Sequence, residues 1–570
     1  MADEIKKNNK HLINAPAGSG KTTYIRNQLK SICINKPESR ILCITYTNRA
    51  ADELKKDLEN ANITVSTIHS YINDLISPFY SHKEVLDLYC EIYAEKINER
   101  IANVTNDEHI KQSNQYYTEK YGKLTEKAVR ENLLEISYGE TPFTSLYTGK
   151  LSHDDLLMFA SKLIKRYPVL LKKIGDKYNY IFIDEYQDTN KAQYLLVKMI
   201  SAKNKNICVV GDDSQSIYSF RNADYRNILN FEKDYKSCKV IKLEQNYRST
   251  KTILNAANDV IKNDKNLWTE NETGEKISYY RSYDEVDEAF YLIRKIKELV
   301  KNGVSYADIA ILYRTNAQSR VFEENLLKEN IPYRIVGSFY FYSRKEIKDL
   351  IAYLRLIHNP DDDISLLRVI NTPKRGIGLK SIAKLENISS TYNTSIFSSI
   401  TEGKELEFKN VILELQQKAS EVTLTELIDL VLDKTGMKKA LQDEKTLEAD
   451  IRLENLEEFK SITKTFEEKE GIISLEDFLL EIALVSDSEE YKDDPNRVTL
   501  MTVHSVKGLE YPYVFIVGLE EGLFPHRNSS FEKEDLEEER RLMYVAITRA
   551  KKKLYLTNAK RRMIFGREEI

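Results

Sequence analysis

Short apolar runs rich in β-branched residues recur along the chain, and segments with helical periodicity lie between them. Such runs are typical of strands buried on both faces of a parallel sheet. Helical segments between them are typical of the connections that join parallel strands. The pattern therefore predicts an α/β fold with strands at residues 11–15, 40–47, 180–184, 206–212, 238–244, 309–314, 497–503 and 513–519.

The predicted strands fall into two α/β units, and a long segment interrupts each unit. The first interruption covers residues 72–155, which are rich in Tyr and charged side chains, and the second covers residues 344–496. Loops of this length without structure of their own are uncommon, so each segment is expected to be a helical insertion subdomain. The two units are then expected to consist of residues 1–71 with 156–240 and of residues 241–343 with 497–570.

The composition favours a folded protein of several domains. A chain of 570 residues is too long for a single core, and 41% hydrophobic with 31% charged residues is ordinary for globular proteins. No run of about eighteen apolar residues predicts a membrane span, and "MADEIKKNNK" at the start lacks the apolar core of a signal peptide, which favours a cytoplasmic location. The five cysteines are scattered, so the sequence indicates no disulfide framework and no zinc or iron–sulfur site.

The overall charge gives no sign of a nucleic-acid partner, because the formal net charge is −4. Local charge differs, since residues 532–540 are mostly acidic and residues 549–562 hold seven basic side chains and no acidic one. Binding to a polyanion depends on local placement of Lys and Arg. The basic stretch is therefore either a solvated helix face or strand edge, or a contact with nucleic acid.

The stretch "NAPAGSGKTT", residues 14–23, lies between a predicted strand and a predicted helix. In this context it resembles a phosphate-binding loop, in which glycines let backbone N–H groups surround phosphates at a helix N-terminus. Lys21 is expected to neutralise the β- and γ-phosphates, and Thr22 to bind Mg²⁺. Ala15 stands where the general pattern has its first glycine. The predicted phosphate-binding residues are Ala15, Ala17, Gly18, Ser19, Gly20, Lys21, Thr22 and Thr23.

A second motif, "IFIDEYQD" at residues 181–188, places adjacent carboxylates at the end of an apolar strand. Asp184 is expected to hold Mg²⁺ through water, and Glu185 to orient and deprotonate an attacking water. A lone Asp-Glu pair is often only an acidic turn. Together with the phosphate-binding loop, however, it predicts a nucleoside triphosphatase.

Eight motifs in order then resemble those of superfamily 1A helicases of the UvrD/Rep/PcrA type, over nearly the whole chain. The resemblance implies two RecA-like lobes, 1A and 2A, with helical insertions 1B and 2B. The motifs are "APAGSGKTT" (15–23), "ITYTNRAADEL" (44–54), "STIHSY" (66–71), "DEYQDTN" (184–190), "VVGDDSQSIYSFRNA" (209–223), "LEQNYRST" (243–250), "LMTVHSVKGLEYPYVFIVGLEEGLFP" (500–525) and "EERRLMYVAITRAKKKL" (538–554).

The resemblance also implies further roles at the nucleotide. Gln215 is expected to touch the γ-phosphate and to couple hydrolysis to the nucleic-acid site. Arg248 and Arg549 are expected to act as arginine fingers, since a planar guanidinium suits phosphate oxygens. Tyr247 is expected to stack on the adenine, and Glu510 to accept a hydrogen bond from the ribose.

Single-stranded nucleic acid needs stacking surfaces and backbone contacts. Each aromatic residue in these motifs could instead be a core residue, and each histidine an ordinary turn residue. Phe565 is expected at the aromatic wedge of a strand-separating hairpin, or else is a buried aromatic. The residues that the resemblance implies for DNA binding are Tyr46, His69, Tyr218, Phe220, Arg221, His504 and Phe565.

The sequence thus predicts an ATP- and Mg²⁺-dependent 3′-to-5′ translocase and helicase, acting on single-stranded DNA and on junctions of single- and double-stranded DNA. The direction is implied by the resemblance alone. Only ten residues precede His11, so the Gln-bearing stretch by which the family reads adenine is not expected, and ATP preference depends mainly on Tyr247. Two alternatives stay open, a DNA-sensing ATPase subunit that regulates a partner nuclease or repair protein, and a non-catalytic, nucleotide-gated DNA-binding protein.

Overall fold

The chain forms two compact units in the computed structural model. The first contains Met1–Tyr247 and Lys265–Trp268, and the second contains Arg248–Asp264 and Thr269–Ile570. The structure describes residues 10–46, 48–56, 58, 60, 62–76, 157, 160–162, 165–166, 172, 176–202, 206–219, 223–261, 267–337, 339–470, 474–486, 495–527, 533–564 and 567–569.

The first unit contains a six-stranded sheet in which every pair of neighbouring strands is parallel, in the order β3-β2-β4-β5-β1-β6. The strands are β1 (Lys10–Asn14), β2 (Ile41–Thr45), β3 (Ile63–Thr67), β4 (Tyr180–Ile183), β5 (Ile207–Gly211) and β6 (Lys239–Lys242). The described helices of this unit are α1 (Lys21–Asn35), α2 (Asn48–Lys55), α3 (Ile68–Ile76), α4 (Lys191–Ser201) and α5 (Arg226–Asp234).

Burial on both faces of this sheet explains its continuous apolar strands. Successive side chains of a strand point to opposite faces, and Leu12 and Ile181 belong to one apolar cluster whereas Ile13 and Phe182 belong to another. Fully burying one such side chain stabilises the fold by about 1.5–3 kcal/mol. The sheet is therefore a rigid base for the loops at its edge.

The second unit contains another six-stranded parallel sheet, in the order β7-β12-β11-β8-β10-β9, and a short antiparallel hairpin β13-β14. The strands are β7 (Ser278–Ser282), β8 (Ile309–Tyr313), β9 (Tyr333–Val336), β10 (Val498–Thr502), β11 (Tyr511–Ile516), β12 (Ala550–Ala559), β13 (Arg562–Ile564) and β14 (Arg567–Glu569). The described helices around this sheet are α6 (Lys251–Val260), α7 (Glu285–Lys301), α8 (Ser319–Lys328) and α17 (Lys533–Ile547).

Between residues 344 and 496 the described part of the chain forms helices and no strand. These helices have an apolar core of their own, which includes Leu350, Phe408 and Phe459. A buried ion pair joins them to the sheet-bearing part, because Arg320 on α8 donates to Glu458 at 3.1 Å. The helices are α9 (Lys345–His358), α10 (Asp363–Val369), α11 (Leu379–Tyr392), α12 (Gly403–Lys418), α13 (Leu424–Lys434), α14 (Met437–Glu444), α15 (Leu447–Glu470) and α16 (Leu475–Ser486).

The eight strands predicted from apolar runs are all present. The sequence pattern missed β3, β7, β9, β12 and the hairpin strands β13 and β14. Most of the predicted insertion 72–155 lies outside the described residues, and the limits predicted for the four subdomains stay predictions. Within the described ranges, no helix combines the length and the apolar character that crossing a membrane would require.

Candidate nucleotide and nucleic-acid site

The predicted nucleotide residues of the first unit follow the carboxyl ends of parallel strands. Lys21 comes after β1, Asp184 and Glu185 come after β4, and Gln215 comes after β5. The carboxyl ends of parallel strands lie at the same edge of a sheet, which is where α/β proteins bind ligands. The topology therefore brings together residues that are far apart in sequence.

The phosphate-binding loop turns back on itself between β1 and α1. Its backbone is tied to β5, since the N–H of Ala15 donates to the carbonyl of Gly211 at 2.9 Å. Gly18 has φ +69° and Gly20 has φ +76°, a region that residues with a side chain rarely adopt. The loop leads into the first turn of α1, whose N–H groups have no partner within the helix and favour an anion.

Lys21, the first residue of α1, lies between the two carboxylates of the second motif. Its ammonium pairs with Glu185 and lies 3.6 Å from Asp184. Burial alone lowers the pKa of Lys21, but the carboxylates of Asp184 and Glu185 outweigh burial, so its pKa lies above the usual value. Lys21 therefore stays charged and can pass from a carboxylate to a phosphate.

The two carboxylates differ in their surroundings. Asp184 is 6% exposed, and burial raises its pKa. Glu185 is more exposed, at 19% of its side chain, and has φ 51°. A residue other than Gly in this left-handed region is uncommon, and such backbone strain concentrates at functional sites. The turn places the carboxylate of Glu185 against the ammonium of Lys21.

The loop offers polar groups that suit a nucleotide with its magnesium ion. The hydroxyl of Ser19 is buried and has no hydrogen-bond partner among the described residues, a cost that a phosphate oxygen would relieve. Thr22 in the first turn of α1 and Asp184 offer oxygen ligands, which magnesium combines with phosphates and water. Among the residues that the structure describes, no group of three or more His, Cys, Asp or Glu could hold a metal ion.

Tyr247 offers an open aromatic face beside the loop. Its side chain is 64% exposed, and its ring lies 3.7 Å from where a Cβ on Gly20 would be. Its N–H donates to the carbonyl of Gly18 at 2.9 Å. The neighbouring Asn246 is fully buried and donates to the carbonyl of Ala17 at 2.7 Å. The predicted adenine platform is thus fixed to the phosphate-binding loop by two hydrogen bonds.

Gln215 lies in a buried network that ends at Glu185. Its amide donates to the carboxylate of Asp212 at 2.8 Å. The N–H of Asp212 donates to the amide oxygen of Gln187 at 3.0 Å, and the amide nitrogen of Gln187 donates to Glu185 at 2.5 Å. The residue predicted to sense the γ-phosphate is therefore connected to the predicted base.

Two of the predicted DNA-stacking residues lie together. The rings of Tyr46 and Tyr218 are stacked, with centroids 5.7 Å apart and planes inclined by 14°. His69 is partly buried in the first turn of α3. Phe220 and Arg221 lie outside the described residues. The first unit thus presents an aromatic pair at the carboxyl ends of β2 and β5.

In the second unit, the predicted finger Arg248 and the predicted ribose residue Glu510 are paired with each other. Arg248 donates to Glu510 at 2.5 Å, and Lys551 donates to the same carboxylate at 2.6 Å. Burial alone raises the pKa of Glu510, but Arg248 and Lys551 outweigh burial and lower that pKa. In this conformation Arg248 and Glu510 therefore bind each other.

Arg549, the other predicted finger, is 2% exposed. Its guanidinium donates to the carbonyl of Val545 at 2.9 Å and to the hydroxyl of Thr548 at 3.0 Å. His504 is partly buried in the turn after β10, and Phe565 lies outside the described residues. The second unit therefore holds one partly buried and one fully buried arginine at the predicted positions.

Three buried residues at this site were not singled out from the sequence, namely Gln187, Asp212 and Asn246. Each lies inside a motif string, but each acts through the backbone or side chains of a distant segment. A polar residue at 0% exposure, as all three are, needs hydrogen-bond partners that only the fold supplies. Their position next to predicted catalytic residues was the one signal that could have found them.

Comparison with known families agrees with this geometry. The model of the UvrD/REP helicase N-terminal domain matches residues 3–236, and that of the UvrD-like helicase C-terminal domain matches residues 241–561. The chain belongs to the UvrD-like helicase family. As a UvrD-like protein, it has the predicted α/β fold with two RecA-like lobes, and the prediction of a helicase-class ATPase is confirmed.

Similar full-length proteins support the same assignment. The chain is 42% identical to the ATP-dependent DNA helicase PcrA of Bacillus subtilis (strain 168) in an alignment 607 positions long, which covers 98% of this chain and 82% of that protein. It is 43% identical to the protein of the same name from Staphylococcus aureus (strain Mu50 / ATCC 700699), with 98% and 82% covered. The UvrD-like assignment therefore extends over both units.

Proposed function

We propose that this UvrD-like protein is an ATP-driven translocase that moves 3′-to-5′ along single-stranded DNA and separates duplex strands at junctions. The observation that carries the proposal is the network from Lys21 and Glu185 to Gln215, in a chain whose relatives are named ATP-dependent DNA helicases. A cytoplasmic location is proposed with it, because ATP and DNA substrates are found there.

The proposed hydrolysis uses the first unit as follows. Lys21 leaves Glu185 for the β- and γ-phosphates, Tyr247 stacks on the purine, and Gln215 contacts the γ-phosphate. Thr22 and Asp184 would hold Mg²⁺, which neutralises phosphate charge when bound. Glu185 accepts a proton from the attacking water. The roles of Lys21, Glu185 and Tyr247 are supported by their contacts at the phosphate-binding loop. The role of Gln215 is supported by its bond to Asp212, in the network that ends at Glu185.

Arg248, Arg549 and Glu510 keep their predicted roles within the proposal. Their support is the motif match and the chemistry of arginine, whose planar guanidinium stabilises charge that develops on a transferred phosphoryl group. The pairing of Arg248 with Glu510 implies that binding of the nucleotide separates them. DNA binding is proposed to use the Tyr46–Tyr218 pair, with His69, Phe220, Arg221, His504 and Phe565 as predicted contacts.

The test of this proposal is unwinding of matched duplexes that carry a single-stranded tail at either the 3′ or the 5′ end. The proposal expects ATP-dependent unwinding of the 3′-tailed duplex and little of the 5′-tailed one, with Glu185→Gln inactive on both. Preference for the 5′ tail would contradict the direction. DNA-stimulated hydrolysis without unwinding of either substrate would favour a regulatory ATPase subunit instead.

A further inference from the structure

Gln187 uses both ends of its side-chain amide inside the first unit. It is 0% exposed, its Nε2 donates to Oε2 of Glu185 at 2.5 Å, and its Oε1 accepts from the N–H of Asp212 at 3.0 Å. A carboxylate can only accept and a backbone N–H can only donate, so the two partners fix the orientation of the amide. Gln187 thus connects the predicted base to the segment that follows β5.

That segment, residues 212–218, touches Gln187 through its side chains as well as its backbone. The hydroxyl of Ser216 donates to the carbonyl of Gln187 at 3.3 Å. Asp212 in turn accepts from Gln215 at 2.8 Å and from the N–H of Ser214 at 3.1 Å. At its far end the segment carries Tyr218, one half of the stacked aromatic pair. A displacement of this pair would therefore reach Gln187 through a few bonded groups.

The space for the Gln187 amide is maintained by a glycine. A Cβ on Gly211 would overlap Oε1 of Gln187 and would lie 2.8 Å from Cδ1 of Ile228. Gly211 does not have a positive φ. Glycine is therefore needed here because a larger side chain would not fit, and not because of the backbone conformation. Gly211, the last residue of β5, thus leaves space for the amide of Gln187, which reaches from the turn after β4 to the segment 212–218.

We propose that Gln187 is a positioning residue that holds one oxygen of Glu185 and makes the base respond to single-stranded DNA. This inference rests on the proposed function. Lys21 and Gln187 take one oxygen of Glu185 each in this structure. When Lys21 moves to the phosphates, its charge no longer opposes transfer of a proton to Oε1, whereas Gln187 keeps Oε2 and so keeps the carboxylate in place.

The chemical step then has a defined balance. A water oxygen forms a bond to the γ-phosphorus, and the bond from that phosphorus to the bridging oxygen of ADP breaks, with the electron pair staying on ADP. The water proton passes to Oε1 of Glu185. DNA at Tyr46 and Tyr218 shifts the segment 212–218, and through Asp212 and Gln187 it sets the angle of the accepting carboxylate.

The experiment compares full-length Gln187→Met with the wild type for ATP hydrolysis, with and without single-stranded DNA. Methionine has a similar length and no hydrogen-bonding amide. We expect kcat with DNA to fall by about tenfold to a hundredfold, within the range attributed to general base catalysis. The KM for ATP should stay within about twofold, because the described hydrogen bonds of Gln187 go to Glu185, Asp212 and Ser216 and none goes to the phosphate-binding loop.

A double-mutant cycle separates positioning from general damage to the fold. If Gln187 acts through Glu185, Gln187→Met in a Glu185→Gln background should lower the residual rate no further. Gln187→Asn is the second variant, since its amide is too short to reach both partners, and it should show the same loss of kcat. Thermal unfolding midpoints of all variants show whether each protein is folded.

Gln193→Met is the matched control, because Gln193 is also buried in this unit and accepts from the N–H of Asn190 at 3.0 Å in a helix cap. It should keep the wild-type ratio of rates with and without DNA. Wild-type kcat in Gln187→Met, an equal loss in Gln193→Met, or a further tenfold loss in the double mutant would each overturn the inference. A wild type that DNA does not stimulate would instead refute the proposed function, and with it any response of Gln187 to DNA.

Discussion

Both carboxylate oxygens of Glu185 are hydrogen-bonded in this structure, one to Lys21 and the other to Gln187. In this arrangement the positive charge of Lys21 lies on Oε1 of Glu185, where it opposes transfer of a proton from water to that oxygen. We therefore expect the ammonium of Lys21 to leave Glu185 before hydrolysis, because a triphosphate is a partner of greater negative charge. At the scale of single residues, binding of the nucleotide and release of the base are one event.

Tyr247 is a residue whose aromatic ring and hydroxyl can be tested separately. Tyr247→Ala should raise the KM for ATP by about two- to twelvefold, since an aromatic stacking contact contributes about 0.5–1.5 kcal/mol. Tyr247→Phe should leave the KM within about twofold, because the one bond of this hydroxyl among the described residues goes to Gln245, at 3.0 Å. Steady-state kinetics on both variants provides the measurement. An unchanged KM in the alanine variant would remove Tyr247 from the nucleotide site.

Lys21 and Glu185 lie 164 positions apart, yet the sequence predicted both residues at the nucleotide site. Each follows a predicted parallel strand, and parallel strands end at a common edge. Gln187 and Asn246 could not be found in this way. Their partners are a backbone N–H and a backbone carbonyl of other segments, and side chains of this kind leave no periodic or compositional mark in the sequence.

At the scale of elements, the turns after β2 and β5 build the aromatic pair. Tyr218→Ala should weaken binding of single-stranded DNA by about fivefold to a hundredfold, because stacking contributes about 1–3 kcal/mol per base. Tyr279→Ala is the control, since Tyr279 is 63% exposed in the second unit and lies outside every matched motif. Fluorescence anisotropy with a labelled oligonucleotide measures both. Equal affinities of the two variants would refute the role of the aromatic pair as a stacking surface for DNA.

Strand β13 is attached to the second unit by a buried arginine. Arg562 donates to Glu288 at 2.5 Å and to Glu520 at 2.7 Å, and Glu288 is 0% exposed. Arg562→Met leaves these carboxylates without a counter-ion, which should cost about 3–5 kcal/mol of unfolding free energy. The neighbouring Arg561 is exposed, so Arg561→Met should cost less than about 1 kcal/mol. Urea unfolding followed by fluorescence measures the unfolding free energy of both variants. Equal losses of unfolding free energy would contradict a special structural role for Arg562.

Helix α15 carries a carboxyl group that makes stability depend on pH. Burial raises the pKa of Glu454 to about 7, which Asp450 favours and Arg314 opposes, and His526 lies 3.9 Å away. The folded state therefore prefers the protonated acid, and this contribution is present below the ordinary carboxyl pKa and is lost as the pH rises to about 7. Glu454→Gln should remove that loss. Thermal midpoints between about pH 5 and pH 8 should fall more in the wild type than in the variant, and parallel curves would exclude Glu454 as the cause.

Strands were predictable from sequence where both faces are buried. The apolar runs of β1, β4 and β5 are of this kind, whereas β7 reads "SYYRS" with partly exposed residues at the edge of its sheet. β12 was missed because its lysines interrupt the apolar pattern. Lys553 is 8% exposed and is paired with Glu275 at 2.9 Å, so part of the basic stretch is structural, a conclusion that required knowledge of the partner.

At the scale of the whole molecule, the predicted nucleotide residues are shared between two units. Lys21, Glu185 and Tyr247 belong to the first unit, and Arg248 and Arg549 belong to the second. The division falls between Tyr247 and Arg248, which are adjacent in sequence. The net charge of −4 means that DNA affinity must come from local contacts, and contacts with phosphates weaken as salt rises.

The most direct test of a DNA-coupled motor is ATP hydrolysis by the full chain at low salt, with and without single-stranded DNA, using Glu185→Gln as the blank. We predict that DNA raises the rate by about tenfold or more, which corresponds to about 1.4 kcal/mol of additional transition-state stabilisation. The blank should bind nucleotide and keep only a small residual rate that DNA does not raise. Hydrolysis at one rate regardless of DNA, or a Glu185→Gln variant as fast as the wild type, would contradict the account.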